Sequence, residues 1–118
     1  MPIRDPEKYL YDMLGSCEFL IEFTRDKTID DYKSNRAFRS AVERELQIIG
    51  EAMIQIDRLA PDISEQIPDH RNIIGFRHVL VHGYDSLNPE TVWNIISTKL
   101  DDLKEVAARL LKERGYCE

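Results

Sequence analysis

The 118-residue chain reads as all-α, an antiparallel bundle of four to five helices forming a single domain over residues 1–118. Three observations predict this. Apolar residues recur at three- and four-residue spacing along most of the chain, the period that puts them on one side of an α-helix. Asp5-Pro6 and Asn88-Pro89 each place a side-chain N-cap before a proline at the first helical position, where the missing N–H costs nothing. No segment sustains the two-residue alternation of a half-buried strand, and there is no internal repeat or low-complexity tract. With 42% hydrophobic residues, the length suits one compact core.

The elements follow in order. Behind Pro6, Leu10, Met13, Leu14, Cys17, Leu20 and Ile21 form an apolar stripe running to about Thr24. A second helix is expected to start between Asp31 and Ser34, with Phe38, Val42, Leu46, Ile49, Met53 and Ile56 on its buried side. Pro61 closes it, because the residue before a proline disfavours helical backbone. Residues 61–68, PDISEQIP, read as a short turn or helical crossing between two prolines. A short helix covers His70 to His82, with Gly75 inside it and Gly83 placed to end it as a left-handed cap. The last long helix begins at Pro89, carries Val92, Ile95, Ile96, Leu100, Leu103, Ala107, Leu110 and Leu111, and stops at Gly115. Gly50, in mid-helix, costs about 1 kcal/mol relative to alanine, and close approach of another helix is the simplest reason for it. Trp93 reads as core or dimer packing.

The net charge of −6 argues against a generic nucleic-acid-coating protein. The charge is uneven, however. Residues 33–44 hold Lys33, Arg36, Arg39 and Arg44 against Glu43 alone, and residues 70–84 hold Arg71, Arg77 and three histidines with no acid. The first island reads as a solvated helix face, with an RNA-approach or partner-facing surface as the alternative. Acidic residues interrupt the first apolar run, unlike a signal peptide, and no apolar run approaches the roughly 20 residues of a membrane span. Cys17 and Cys117 have no metal spacing and suit free thiols in a reducing cytoplasm. No cofactor is expected.

The stretch FRHVLVHGYD, residues 76–85, holds two of the three histidines. His78 and His82 are four apart and share a helix face, as metal-ligating pairs do. A metal site needs more ligands, and residues 71–84 contain no Asp or Glu, so none is expected. Arg77 and His82 are about 140° apart on an ideal helix. They converge on one ligand only if the helix frays at Gly83 or a second subunit brings a matching pair. An arginine fork grips phosphate, and a histidine moves protons near neutrality. Together they suffice for RNA cleavage without metal, although one histidine per chain is lean for chemistry that uses both a base and an acid. A symmetric dimer removes that shortage. On composition alone, an arginine and a histidine on a short helix read as structural or solvated.

RNIIGFRHVLVHGYD (71–85), followed by TVWNII (91–96) and preceded by ERELQIIGEA (43–52), resembles the HepT-like branch of the HEPN superfamily. Arg77, His82 and Tyr84 occupy the three positions of its R-x4-H-x-Y signature. The resemblance implies a HEPN-like helical bundle that forms a homodimer and acts as a metal-independent RNase toxin. It implies catalytic roles for Arg77 and His82 in the dimer cleft. It also implies an MntA-like nucleotidyltransferase antitoxin that transfers AMP from ATP to Tyr84. His78 departs from the family pattern, which commonly has Asn after the arginine; RNA contact, proton transfer and a merely polar neighbour all stay open for it. A function of another class also fits the acidic total and the single motif histidine: a non-catalytic helical partner that presents substrate or nucleotide to a nucleotidyltransferase.

Overall fold

A computed structural model describes residues 5–83 and 87–115, and among these every regular element is a helix. Five helices have ten residues or more: α1 (Pro6–Phe23), α3 (Arg36–Leu59), α5 (His70–His82), α6 (Pro89–Thr98) and α7 (Leu100–Glu113). Two short ones, α2 (Ile29–Ser34) and α4 (Pro61–Ser64), connect them. The expected four- to five-helix bundle is therefore present, with α2 and α4 as links. Helix α3 lies at its centre, packed on α1, α5, α4 and α2, while α7 covers the other side of α1. The molecule measures 41 × 28 × 27 Å.

Local chemistry sets the helix starts. The Asp5 carboxylate accepts from Glu7 N at 3.0 Å, and Asn88 Oδ1 accepts from Glu90 N and Thr91 N at 2.8 and 3.2 Å, both before a proline as the sequence implies. Two breaks were not expected. Thr28 and Asp31 form a capping box that opens α2, and Asn35 then caps α3 by accepting from Phe38 N at 3.0 Å. The single helix expected from Asp31 onward is thus two, because Asn35 offers its side chain to the backbone of the next turn. The last helix also divides, at Lys99. Gly83 departs from expectation as well. Its φ of −104° is not left-handed, and it ends α5 by donating to the Val79 carbonyl at 2.9 Å. Gly115, with φ of +90°, does take the left-handed conformation that glycine favours.

One buried cluster joins the helices, including Leu10, Met13 and Leu20 of α1, Val42, Met53 and Ile56 of α3, and Ala107 and Leu110 of α7. Trp93 packs into it, with ring centroids 6.1 Å from Tyr32 and 6.3 Å from Phe38. A buried polar pair sits beside them: the Tyr32 hydroxyl donates to Glu43 Oε2 at 2.5 Å. A hydrogen bond to a buried charge is worth about 1.5–3 kcal/mol. Tyr32→Phe is accordingly expected to lower unfolding stability by about that amount in urea titration, with an unchanged slope. A loss below about 0.5 kcal/mol would contradict the pair's role.

Cys17 is free and fully buried, and burial, with the nearby Glu18 charge adding to it, pushes its thiol up to about 12. Because the thiolate is the reactive form, Cys17 is expected to resist iodoacetamide at pH 8 in the native protein and to react after denaturation. Peptide mapping of the two samples checks this, and rapid native labelling of Cys17 would contradict it. Cys117 lies outside the described residues. Among them, no helix is long and apolar enough to cross a membrane.

Candidate active site

Helix α5 carries Arg77 and His82 and is tied down at its start. Asp69 precedes it in the left-handed conformation, φ 61°, which Asp tolerates better than most residues. Its carboxylate meets Lys99 Nζ at 3.6 Å, linking the start of α5 to the junction of α6 and α7. Only Leu80 of this helix is fully buried. Val79 and Val81 are 38% and 39% exposed, so the outer side of α5 presents apolar side chains next to His78 and His82.

Arg77 is positioned by the absence of a side chain across from it. A Cβ built on Gly50 would lie 2.3 Å from Arg77 Cβ and 2.7 Å from its Cγ, both far inside van der Waals contact. Glycine at position 50 therefore lets the Arg77 stem lie directly on α3, the close helix approach that the mid-helix glycine suggested. The side chain is half-buried, and its Nε is buried without a hydrogen-bond partner. Arg77 borders an open cavity of about 400 Å³ above α3, together with Lys8, Tyr9 and Asp12 of α1 and Glu51 and Gln55 of α3.

The histidines lie elsewhere on the helix. His78 and His82 are exposed, and their rings meet edge to face with centroids 5.1 Å apart, as their four-residue spacing implies. His82 is the last residue of α5, and Gly83 ends the helix behind it. One chain thus pairs His78 with His82 but does not bring Arg77 and His82 onto the same face. Tyr84 lies outside the described residues. Among the described residues, no three His, Cys, Asp or Glu side chains converge as metal ligands would.

Sequence reasoning missed the residues across the cavity from Arg77. Gly50, next to Glu51, stood out as an odd mid-helix residue, whereas Lys8, Tyr9 and Asp12 lie some 70 residues from the motif and carry no local signal. The Lys8 ammonium donates to Asp12 Oδ2 at 2.6 Å, and this carboxylate contact raises the lysine's pKa above its ordinary value. Glu51 faces Arg44 at 3.7 Å across exposed surface. The basic island is likewise partly paired: Lys33 meets Glu90 at 3.0 Å, and Arg39 donates to the Lys33 carbonyl at 3.1 Å. A larger hollow of about 460 Å³ opens on another side of α5, with Phe76, Ile73, Ile95 and Val106 in its wall.

The profile of the family "Ribonuclease HepT-like" matches residues 13–110. "Putative RNase MJ0125" of Methanocaldococcus jannaschii is 32% identical over 115 residues, covering 96% of this chain and 97% of that protein. "Putative RNase MJ1380" of the same organism is 34% identical over 107 residues, covering 89% and 95%. "Probable ribonuclease HepT" of Thermococcus cleftensis is 29% identical over 109 residues, covering 92% and 98%. No solved structure gives a significant match. With the family profile spanning α5 and most of every other long helix, the chain belongs to the HepT-like ribonuclease family.

Proposed function

We propose that this protein is a metal-independent endoribonuclease and the toxin of a toxin–antitoxin pair, with Arg77 and His82 as its catalytic residues. The observation that carries the reading is Arg77 itself. Its stem is seated on Gly50, and its buried Nε has no hydrogen-bond partner, on the same helix that ends in the exposed His82. A charged fork that borders an open cavity is suited to an incoming phosphate.

The chemistry needs a base and an acid. One His82 removes the 2′-hydroxyl proton, the 2′-oxygen attacks phosphorus, and a second imidazolium protonates the departing 5′-oxygen. The products are a 2′,3′-cyclic phosphate and a 5′-hydroxyl, and Arg77 stabilises the added negative charge on the phosphorane oxygens. A homodimer supplies two Arg–His sets. The exposed Val79 and Val81 beside the histidines support an interface along α5. His78, in edge contact with His82, would serve RNA contact or proton transfer, or be a merely polar neighbour.

Regulation in this reading falls on Tyr84, two residues beyond His82. An MntA-like nucleotidyltransferase antitoxin adds AMP from ATP to its hydroxyl, setting a negative phosphate and a bulky base at the mouth of a site for RNA phosphate. RNA and ATP both place the pair in the cytoplasm. The test of the nuclease is cleavage of labelled RNA by the wild type in EDTA; an inert wild type overturns it and favours a non-catalytic partner of the transferase. Incubation with ATP and an MntA-like nucleotidyltransferase is expected to raise the intact mass by one or more AMP units. Tyr84→Phe should abolish that rise, and an undiminished rise would move the target elsewhere.

A further inference from the structure

We infer that the cavity beside Arg77 is a nucleobase subsite of the RNA-cleaving site, with Glu51 reading a donor-bearing base edge and guanine its best occupant. This rests on the ribonuclease reading and adds to it a specificity residue. Helix α3 forms the floor, α1 one wall and Arg77 the other, so a nucleotide whose phosphate is held by Arg77 has its neighbour directly over α3. The volume of about 400 Å³ lies in the range of small-ligand pockets, roughly 300–1,000 Å³.

The lining selects a base over a further phosphate. Lys8 and Arg77 bring two positive charges, Asp12 and Glu51 two negative ones, so the cavity is balanced and does not attract additional anions. The Asp12 carboxylate is engaged by Lys8 at 2.6 Å. Among the described residues, Glu51 has only the distant, exposed contact to Arg44 at 3.7 Å and is open to a new donor. A carboxylate accepts two parallel N–H bonds, which guanine offers from N1 and N2 and uracil does not. The Gln55 amide donates and accepts beside it, and the Tyr9 ring supplies an aromatic wall. Single-stranded RNA is read in this way, by bases splayed onto aromatic side chains and bonded along their Watson–Crick edges. The placement also gives the Gly50-Glu51 pair one rationale: the glycine seats the arginine, and the next residue reads the adjacent base.

The test uses full-length protein and RNAs that differ at one position near the cut, carrying guanosine, inosine or uridine there. Inosine keeps N1–H but lacks the N2 amine. The wild type is expected to show kcat/KM in the order guanosine, inosine, uridine at one such position. Glu51→Gln should shrink the guanosine-to-uridine ratio by about tenfold, the scale of one bidentate base contact. Glu18→Gln, on the exposed side of α1, should keep the wild-type ratio. The inference is overturned by a wild type without a base preference near the cut, or by Glu51→Gln with an unchanged ratio. It is equally overturned if Glu51→Gln slows all three RNAs alike, since that marks a carboxylate acting on the fold or on Arg77. If the wild type cleaves nothing, the nuclease reading falls by itself, and fluorescence anisotropy with the same labelled RNAs decides the subsite. Guanosine-dependent binding that Glu51→Gln reduces supports it; equal binding of guanosine and uridine RNAs overturns it.

Discussion

Arg77→Ala is expected to lower RNA cleavage in EDTA by about 10²- to 10³-fold, the usual effect of removing one preorganised donor to a developing charge. His82→Ala is expected to cost about 10²- to 10⁴-fold, the span attributed to positioned general acid–base groups. Neither change should unfold the protein. His82 is exposed at the end of α5, and Arg77→Ala keeps the Cβ that rests on Gly50 while removing a buried Nε that has no partner to lose. Thermal melts near the wild-type value would therefore separate a chemical defect from a structural one. His78→Ala is the informative neighbour. A small effect makes it a polar companion of His82, and a loss equal to that of His82→Ala makes the edge-to-face pair a functional unit. Wild-type cleavage rates in both Arg77→Ala and His82→Ala would remove the catalytic assignment altogether.

How much of this was legible in the sequence differs between fold and site. The starts of α1 and α6 were readable because Asp-Pro and Asn-Pro write the cap and the first helical residue in adjacent letters. The break at Asn35 was not, because Phe38 and Val42 continue the apolar period and hide a cap that is visible only in its bond to Phe38 N. The division at Lys99 has no side-chain cap at all, so no local residue announced it. Gly83 shows the limit of a residue-type rule: it ends α5 where expected, but through an ordinary negative φ.

The site divides along the same line. Arg77 and His82 were legible because their spacing within one helix belongs to a compact motif. Their separation of about 140° on that helix was also readable, and it is why a single chain leaves the arginine on α3 and the histidine in solvent. The cavity over α3 was not readable. Lys8, Tyr9 and Asp12 meet Arg77 only through the packing of α1 on α3, a long-range contact that no periodicity encodes. Gly50 is the one place where the sequence hinted at that packing, by accepting a helix-weakening residue in the middle of the longest helix.

Gly50→Ala turns that hint into the second large prediction. On an exposed helix the change stabilises by about 0.8–1.0 kcal/mol, since alanine is the best helix former and glycine among the worst. Here the new methyl group meets Arg77 Cβ at 2.3 Å, Cγ at 2.7 Å and Cα at 3.4 Å. These atoms are the root of the side chain, so rotation of the arginine tip gives no relief and α5 itself must move off α3. Overpacking of this kind costs about 1–3 kcal/mol, which cancels or exceeds the propensity gain. The expected result is a melting temperature unchanged or lowered by several degrees, with RNA cleavage falling towards the Arg77→Ala level because the guanidinium is displaced. The double variant Gly50→Ala/Arg77→Gly clears the clash. In a double-mutant cycle for stability it should therefore show favourable coupling of about 1 kcal/mol or more between the two positions. A Gly50→Ala protein that melts higher by the full propensity gain and cleaves RNA at the wild-type rate would mean that the glycine neither seats Arg77 nor sets the distance between α3 and α5.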